Sequence, residues 1–106
     1  MRLILILTAL LAFQSAAASE FDETKALAEQ GVASAQNYLG FNYRTGEGVP
    51  KNNIRAYVWW SMAKTQGHAK AATDIDKLKP KMTPQQIADG QALAAKCYES
   101  NYKDCD

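Results

Sequence analysis

The chain repeats itself at an interval of 36 residues, and this feature constrains its fold more than any other. The segment AEQGVASA at 28–35 resembles KTQGHAKA at 64–71. Each copy joins a Gln-Gly pair to two alanines, and small side chains let neighbouring helices approach closely. A helical hairpin of this size cannot bury its apolar face alone, so it must stack on neighbouring hairpins. The interval therefore predicts an all-α stack.

Helix signals dominate the chain after residue 18, and no clear strand signal is present. Alternation of β-branched residues is absent, whereas alanines and helix-compatible spacing are frequent. We expect about five helices, with glycines ending three of them and a Thr-Pro-Gln-Gln capping box opening the last. The expected segments are 21–30, 33–45, a third from 52 or 53 to a stop at Gly67, 69–78, and 84–98.

The stretch YRTGEGVPKNN at 43–53 could be a phosphate-binding loop or a corner between helices. A Walker-type loop needs four residues between its glycines and then Lys-Ser or Lys-Thr, and neither condition is met here. Gly46 can take the left-handed conformation that ends a helix, and Pro50 suits the approach to a new one. The stretch is therefore predicted to be the corner of a helical hairpin.

The first 18 residues have the layout of a secretory signal peptide. Arg2 is followed by an apolar run of 11 residues and then by three alanines at 16–18. A membrane anchor is the alternative, but spanning a bilayer takes about 20 apolar residues. We expect cleavage after residue 18, which leaves a periplasmic or secreted domain over 19–106 without a membrane anchor.

The charge balance and the cysteines narrow the class of protein further. Without Arg2 the chain has 11 basic and 11 acidic side chains, which argues against a nucleic-acid partner.

Cys97 and Cys105 form an even pair in an exported chain and are predicted to form a disulfide. A redox or metal pair is the alternative, but the spacing is not Cys-x-x-Cys and His68 is remote in sequence.

The segment from Ala28 to Ala71 resembles the Sel-1-like repeat, a relative of the tetratricopeptide repeat. The resemblance rests on Gln-Gly, Ala-x-Ala-Gln, Leu-Gly, Gly-x-Gly-Val-Pro, an Ala-x-x-Trp helix and Gln-Gly-His-Ala. It implies an α/α superhelical solenoid with one full repeat at about 28–66. A degenerate second repeat and a capping helix would occupy 67–106, since Lys64 and Asp76 depart from the family pattern.

The resemblance implies a non-catalytic interaction or scaffolding module of the bacterial cell envelope. It would act as a monomer, without a cofactor, and bind a protein or peptide of unknown identity on its concave face. One alternative is a small envelope hydrolase or β-lactam-binding protein like the cysteine-rich exported relatives, which carry a cysteine pair in every repeat. Another is a structural adaptor that docks end to end with repeat proteins, which exposed apolar surface on the first helix would favour.

In a tetratricopeptide-like stack the first helix of each hairpin lines the concave face. We expect Trp59 in the core. Trp60 is either half-exposed, where it could anchor a partner, or packed on the next hairpin. For Asn37, Phe41 and Arg44 the alternative is an ordinary solvated helix face with one exposed aromatic side chain. His68 lacks any recognisable nucleophile motif and is expected to be structural, and no catalytic, cofactor or metal site is predicted. The candidate partner-binding residues are Asn37, Phe41, Arg44, Trp60, Lys70, Thr73 and Lys77.

Overall fold

A computed structural model of the protein describes residues 19–106, so the signal peptide predicted at 1–18 lies outside the described residues. Within 19–106 the chain forms five α-helices, one short 3-10 helix and no strand, which confirms the all-α prediction. None of these helices is long and apolar enough to cross a membrane. The helices are α1 (Glu20–Glu29), α2 (Ala33–Thr45), α3 (Asn53–Thr65), α4 (Ala69–Leu78), the 3-10 helix (Lys79–Lys81) and α5 (Pro84–Glu99).

The corner between α2 and α3 is formed as the sequence predicts. Gly46 ends α2 with a φ of 80°, and its N–H donates to the carbonyl of Asn42 at 2.8 Å. Asn52 then caps α3, because its side-chain oxygen accepts from the N–H of Arg55 at 3.0 Å. The two glycines of this stretch therefore turn the chain between two helices.

The helices stack in sequence order around α3. Each of α1, α2 and α3 packs against the next helix in the chain, and α5 returns to pack on α3 as well. This arrangement of consecutive helical hairpins is the one expected of a solenoid repeat. Helix α3 is consequently the most enclosed element, and it carries both tryptophans.

The core takes most of its large buried side chains from α3, whereas α1 buries only an alanine. Trp59, Leu39 and Met62 are buried, and so are Ala63 and Ala71, which lie where helices approach closely. Trp59 is in the core as predicted. Burying a large apolar side chain stabilises a fold by roughly 1.5–3 kcal/mol, so these few residues contribute most to such a small domain.

Trp60 is buried, so the alternative in which it is half-exposed was wrong. Only 4% of its surface is accessible, because its indole lies flat against Gly40 on α2. A Cβ at position 40 would overlap the indole, so the missing side chain creates the slot that the ring fills. The indole N–H also donates to the backbone carbonyl of Asn37 at 3.0 Å, which ties α3 to α2.

A buried glutamine connects successive hairpins. Gln36 is fully buried, and its side-chain N–H donates to the carbonyl of Ala28 at 3.0 Å. Its side-chain oxygen accepts from the side chain of Gln66 at 2.8 Å. Since Ala28 lies in the last turn of α1 and Gln66 follows α3, this pair of bonds fixes the two Gln-Gly corners relative to each other.

Cys97 and Cys105 form a disulfide, which confirms the pairing predicted from the sequence. The bond holds the C-terminal tail (residues 100–106) close to α5. Asp106 lies 3.0 Å from the Nζ of Lys25 on α1, and that hydrogen bond raises the pKa of Lys25 above its ordinary value. The tail therefore joins the last helix to the first.

Candidate functional site

A groove is lined by side chains of α2 and α4, and by Lys51 from the loop after α2 and Lys81 from the 3-10 helix. Its volume is about 590 Å³, which falls within the usual range of ligand sites. Two other cavities along residues 19–106 are smaller, at about 350 and 50 Å³. Its lining residues are Phe41, Arg44, Thr45, Lys51, Trp60, Lys70, Asp74, Lys77, Leu78 and Lys81.

Helical periodicity explains why these side chains meet. Arg44 and Thr45 lie three and four residues after Phe41 on α2, so the three side chains share one face. On α4, Lys70 and Asp74 are four residues apart and Lys77 follows after three more, so they also share a face. The adjoining side of α4 is buried, with Ala71 and Ile75 packed into the core.

The floor of the groove is apolar. Phe41 remains 42% exposed, whereas Trp60 and Leu78 present the edges of otherwise buried side chains. The exposed ring of Tyr38 lies beside Phe41, with ring centroids 6.0 Å apart. An aromatic side chain that stays accessible at the edge of a concave surface is suited to packing against a ligand.

The charged side chains around this floor are mainly basic. Arg44 and Lys51 lie on the α2 side, and Lys77 and Lys81 lie on the α4 side. Lys70 pairs with the carboxylate of Asp74 at 3.2 Å. The groove therefore combines an apolar floor with positively charged edges, which can hold an anionic group beside an apolar one.

Of the seven predicted partner-binding residues, the structure brings five together in this groove: Phe41, Arg44, Trp60, Lys70 and Lys77. Two lie outside it. The backbone carbonyl of Asn37 is occupied by the Trp60 indole, and the Thr73 hydroxyl donates to the Ala69 carbonyl of its own helix at 3.3 Å. The Asn37 contact uses only its backbone, and its side-chain Oδ1 is buried without a hydrogen-bond partner among residues 19–106.

Sequence reasoning missed Thr45, Lys51, Asp74, Leu78 and Lys81 as parts of the groove. Asp74 and Leu78 could have been found, because they follow Lys70 at steps of four and eight on the same helix face. Lys51 lies in the corner and Lys81 in the 3-10 helix, and no helical period places either of them.

The groups that invite a catalytic or metal-binding reading have structural partners. His68 caps α4, where its Nδ1 accepts from the N–H of Ala71 at 3.3 Å, in agreement with the structural role predicted for it. Both cysteines are held in the disulfide. Along the part of the chain that the structure describes, no group of three His, Cys, Asp or Glu side chains could hold a metal ion.

Comparison with known proteins places a repeat across the centre of this arrangement. The family model of the Sel1 repeat matches residues 33–68. The match covers α2, the glycine corner and α3, and it ends at the residue that caps α4. No curated protein matches the chain significantly. One wall of the groove and Trp60 therefore lie within the matched repeat, and the α4 wall follows it.

Proposed function

We propose that this chain, which belongs to the Sel-1-like repeat family, is a non-catalytic module that binds a segment of a partner protein in the groove. Sel1 repeats generally mediate protein–protein interactions and are typically not catalytic. The groove between α2 and α4 is the concave surface on which such a segment would lie. The module would act as a monomer in the bacterial cell envelope.

The observation that carries this proposal is the exposure of Phe41 on the floor of the groove. The domain buries its other aromatic side chains on α2 and α3 except Tyr38, which stands next to Phe41. Aromatic residues are enriched where proteins bind each other, and truncating them there often weakens binding strongly. Two neighbouring exposed rings beside a concave surface thus favour a protein partner.

The dimensions of the groove indicate a short segment. Its α4 wall runs from Lys70 to Lys81, and eleven helical steps correspond to roughly 16 Å. An extended chain advances about 3.3 Å per residue, so roughly five residues fit along this wall. The partner would therefore contribute a short extended peptide, and a small number of contacts would determine the affinity.

The disulfide supports the cell-envelope part of the proposal. A bond between Cys97 and Cys105 is compatible with an oxidising compartment, and such bonds are rare where thiols are kept reduced. The periplasm fits both this bond and the export predicted from the first 18 residues. Localisation of a tagged full-length chain in cell fractions tests this part separately from the binding site.

Site-specific photo-crosslinking tests the binding site. A photo-reactive phenylalanine is placed at Phe41, and in a matched control at Tyr98, which is 61% exposed on α5 and does not line the groove. We expect Phe41 to give discrete adducts with other proteins in periplasmic extract, and Tyr98 to give none. Equal adducts at both positions, or adducts at Tyr98 alone, would refute the groove as the binding site.

A second candidate, end-to-end docking with another repeat protein, is favoured by one observation. Leu27 on α1 is 46% exposed and Val32 beside it is 39% exposed. Together they form a small apolar surface at the N-terminal hairpin, away from the groove. If this surface docks, Leu27→Asp abolishes crosslinks from position 32 and leaves those from Phe41 intact. Crosslinks that persist from position 32 would dismiss this candidate.

A further inference from the structure

The groove collects positive charge that the chain as a whole lacks. Residues 19–106 contain 11 basic and 11 acidic side chains. Five of the basic side chains line the groove, together with only one acidic side chain. Because the domain is neutral overall, this excess reflects the placement of the charges and not the composition.

Most of this charge has no partner within the domain. Asp74 is engaged by Lys70 at 3.2 Å. No ion pair involves Arg44, Lys51, Lys77 or Lys81 within residues 19–106. Four cations thus surround a concave surface that holds no other acid, and such a surface concentrates positive potential.

The apolar floor decides which kind of anion fits. Phe41, Trp60 and Leu78 offer carbon surface between the cations. The domain has no net charge, and this disfavours long polyanions such as a nucleic acid or an anionic lipid surface, whose binding depends on an extended basic face. A peptide can supply carboxylates and an apolar side chain within a few residues.

We propose that the segment bound in this groove is an acidic peptide with one central apolar side chain. The apolar side chain packs on Phe41 and the edge of Trp60, and flanking carboxylates pair with Lys77, Lys81 and Arg44. This inference rests on the proposed function and adds the chemistry of the partner to it.

The electrostatic contribution should be measurable and sensitive to salt. Single exposed ion pairs change an equilibrium by roughly 1.4- to 5-fold, so reversing two cations should weaken binding about tenfold. The screening length falls from about 10 Å at 0.1 M salt to about 3 Å at 1 M, so added salt should weaken binding as well.

Binding of three fluorescein-labelled hexapeptides to the purified domain of residues 19–106 tests the inference by fluorescence anisotropy. The first is Glu-Asp-Glu-Leu-Asp-Glu, the second replaces its acids by Gln and Asn, and the third replaces Leu by Ser. We expect the first to bind at least about tenfold more tightly than either of the others. Its affinity should fall when NaCl is raised from 50 to 500 mM.

Two charge-reversal variants carry the structural part of the test. Lys77→Glu/Lys81→Glu reverses two groove cations, and Lys64→Glu/Lys79→Glu makes the same charge change outside the groove. We expect the first to weaken binding of the acidic peptide about tenfold and the second by less than twofold. Circular dichroism verifies that each variant folds. If Lys77→Glu/Lys81→Glu does not fold, Lys77→Gln/Lys81→Gln replaces it.

Several results would overturn the inference. These are equal affinity for the neutral peptide, equal weakening by both variants, and absence of binding by all three peptides. Preferential binding of phosphatidylglycerol vesicles or a DNA oligonucleotide through Lys77 and Lys81 would also overturn it, as would a dimer that dissociates in Lys77→Glu/Lys81→Glu. If crosslinking at Phe41 succeeds while the acidic peptide fails, the proposed function stands and only the peptide chemistry is wrong.

Discussion

Substituting alanine for Gly40 tests the packing between α2 and α3 directly. On an isolated helix this change stabilises by about 1 kcal/mol, because alanine is the better helix former. In this structure the added Cβ would overlap Cδ1 and Nε1 of the Trp60 indole, so the ring must move. Helix propensity therefore predicts that Gly40→Ala stabilises the fold, whereas tertiary packing predicts that it destabilises the fold.

We expect the loss from disturbed packing to exceed the gain in helix propensity. Inserting a carbon into a well-packed core typically destabilises by about 1–3 kcal/mol. Moving the indole also strains its 3.0 Å hydrogen bond to the Asn37 carbonyl, which contributes about 0.5–1.5 kcal/mol. After the gain in helix propensity, we expect a net loss of about 2 kcal/mol. For a domain of this size that lowers the Tm by roughly 8–16 °C.

Urea unfolding followed by tryptophan fluorescence and circular dichroism measures this loss. Ser34→Ala on the exposed face of the same helix is the matched control and should change stability by less than about 0.5 kcal/mol. In a Trp60→Leu background, which leaves room for the Cβ, Gly40→Ala should have little effect or stabilise. Stabilisation by Gly40→Ala in the wild type, or an equal loss in both backgrounds, would refute the reasoning.

Three further predictions concern Gly46 in the corner, the disulfide that holds the tail, and the buried Tyr43. Gly46→Val should destabilise by about 1 kcal/mol or more, since position 46 has a φ of 80°; an unchanged Tm would contradict the corner assignment. Reducing the bond between Cys97 and Cys105 should remove roughly 2–3 kcal/mol and raise hydrogen exchange first in the tail and α5; uniform loss of protection would contradict this. Burial raises the pKa of Tyr43 above its ordinary value of 10.0, so its neutral form stabilises the fold below that pH, and this contribution is lost as pH rises through the folded pKa. Melting curves from pH 9 to above the folded pKa should therefore show a larger loss in wild type than in Tyr43→Phe, and equal losses would count against the assignment.

The helices could be predicted from sequence because their boundaries are set by local chemistry. Helix α2 begins and ends at the expected residues, with Gly46 as the cap, and α5 opens with the expected Thr83–Gln86 capping box. The 3-10 helix at Lys79–Lys81 was not predicted. Pro80 ends the α-helical pattern, but the sequence alone does not say that the chain continues in a tighter turn.

The candidate site could be predicted only as far as helix faces determine it. Phe41 was placed by the period of its own helix and Lys77 by the 36-residue interval that separates it from Phe41, and both line the groove. Whether Trp60 is buried could not be decided from its own helix, because its burial depends on Gly40, which lies on another helix. Lys51 and Lys81 were missed because their positions depend on how non-helical segments fold back on the stack.

The disulfide-held tail has a consequence for how the domain opens. In an unmodified array of repeats each unit contacts only its neighbours, so an end helix can fray independently. Here Asp106 pairs with Lys25, and Lys103 donates to the Glu29 carbonyl, across separations of 81 and 74 residues. Detachment of α1 must break these bonds, which couples the two ends of the array and favours all-or-none unfolding.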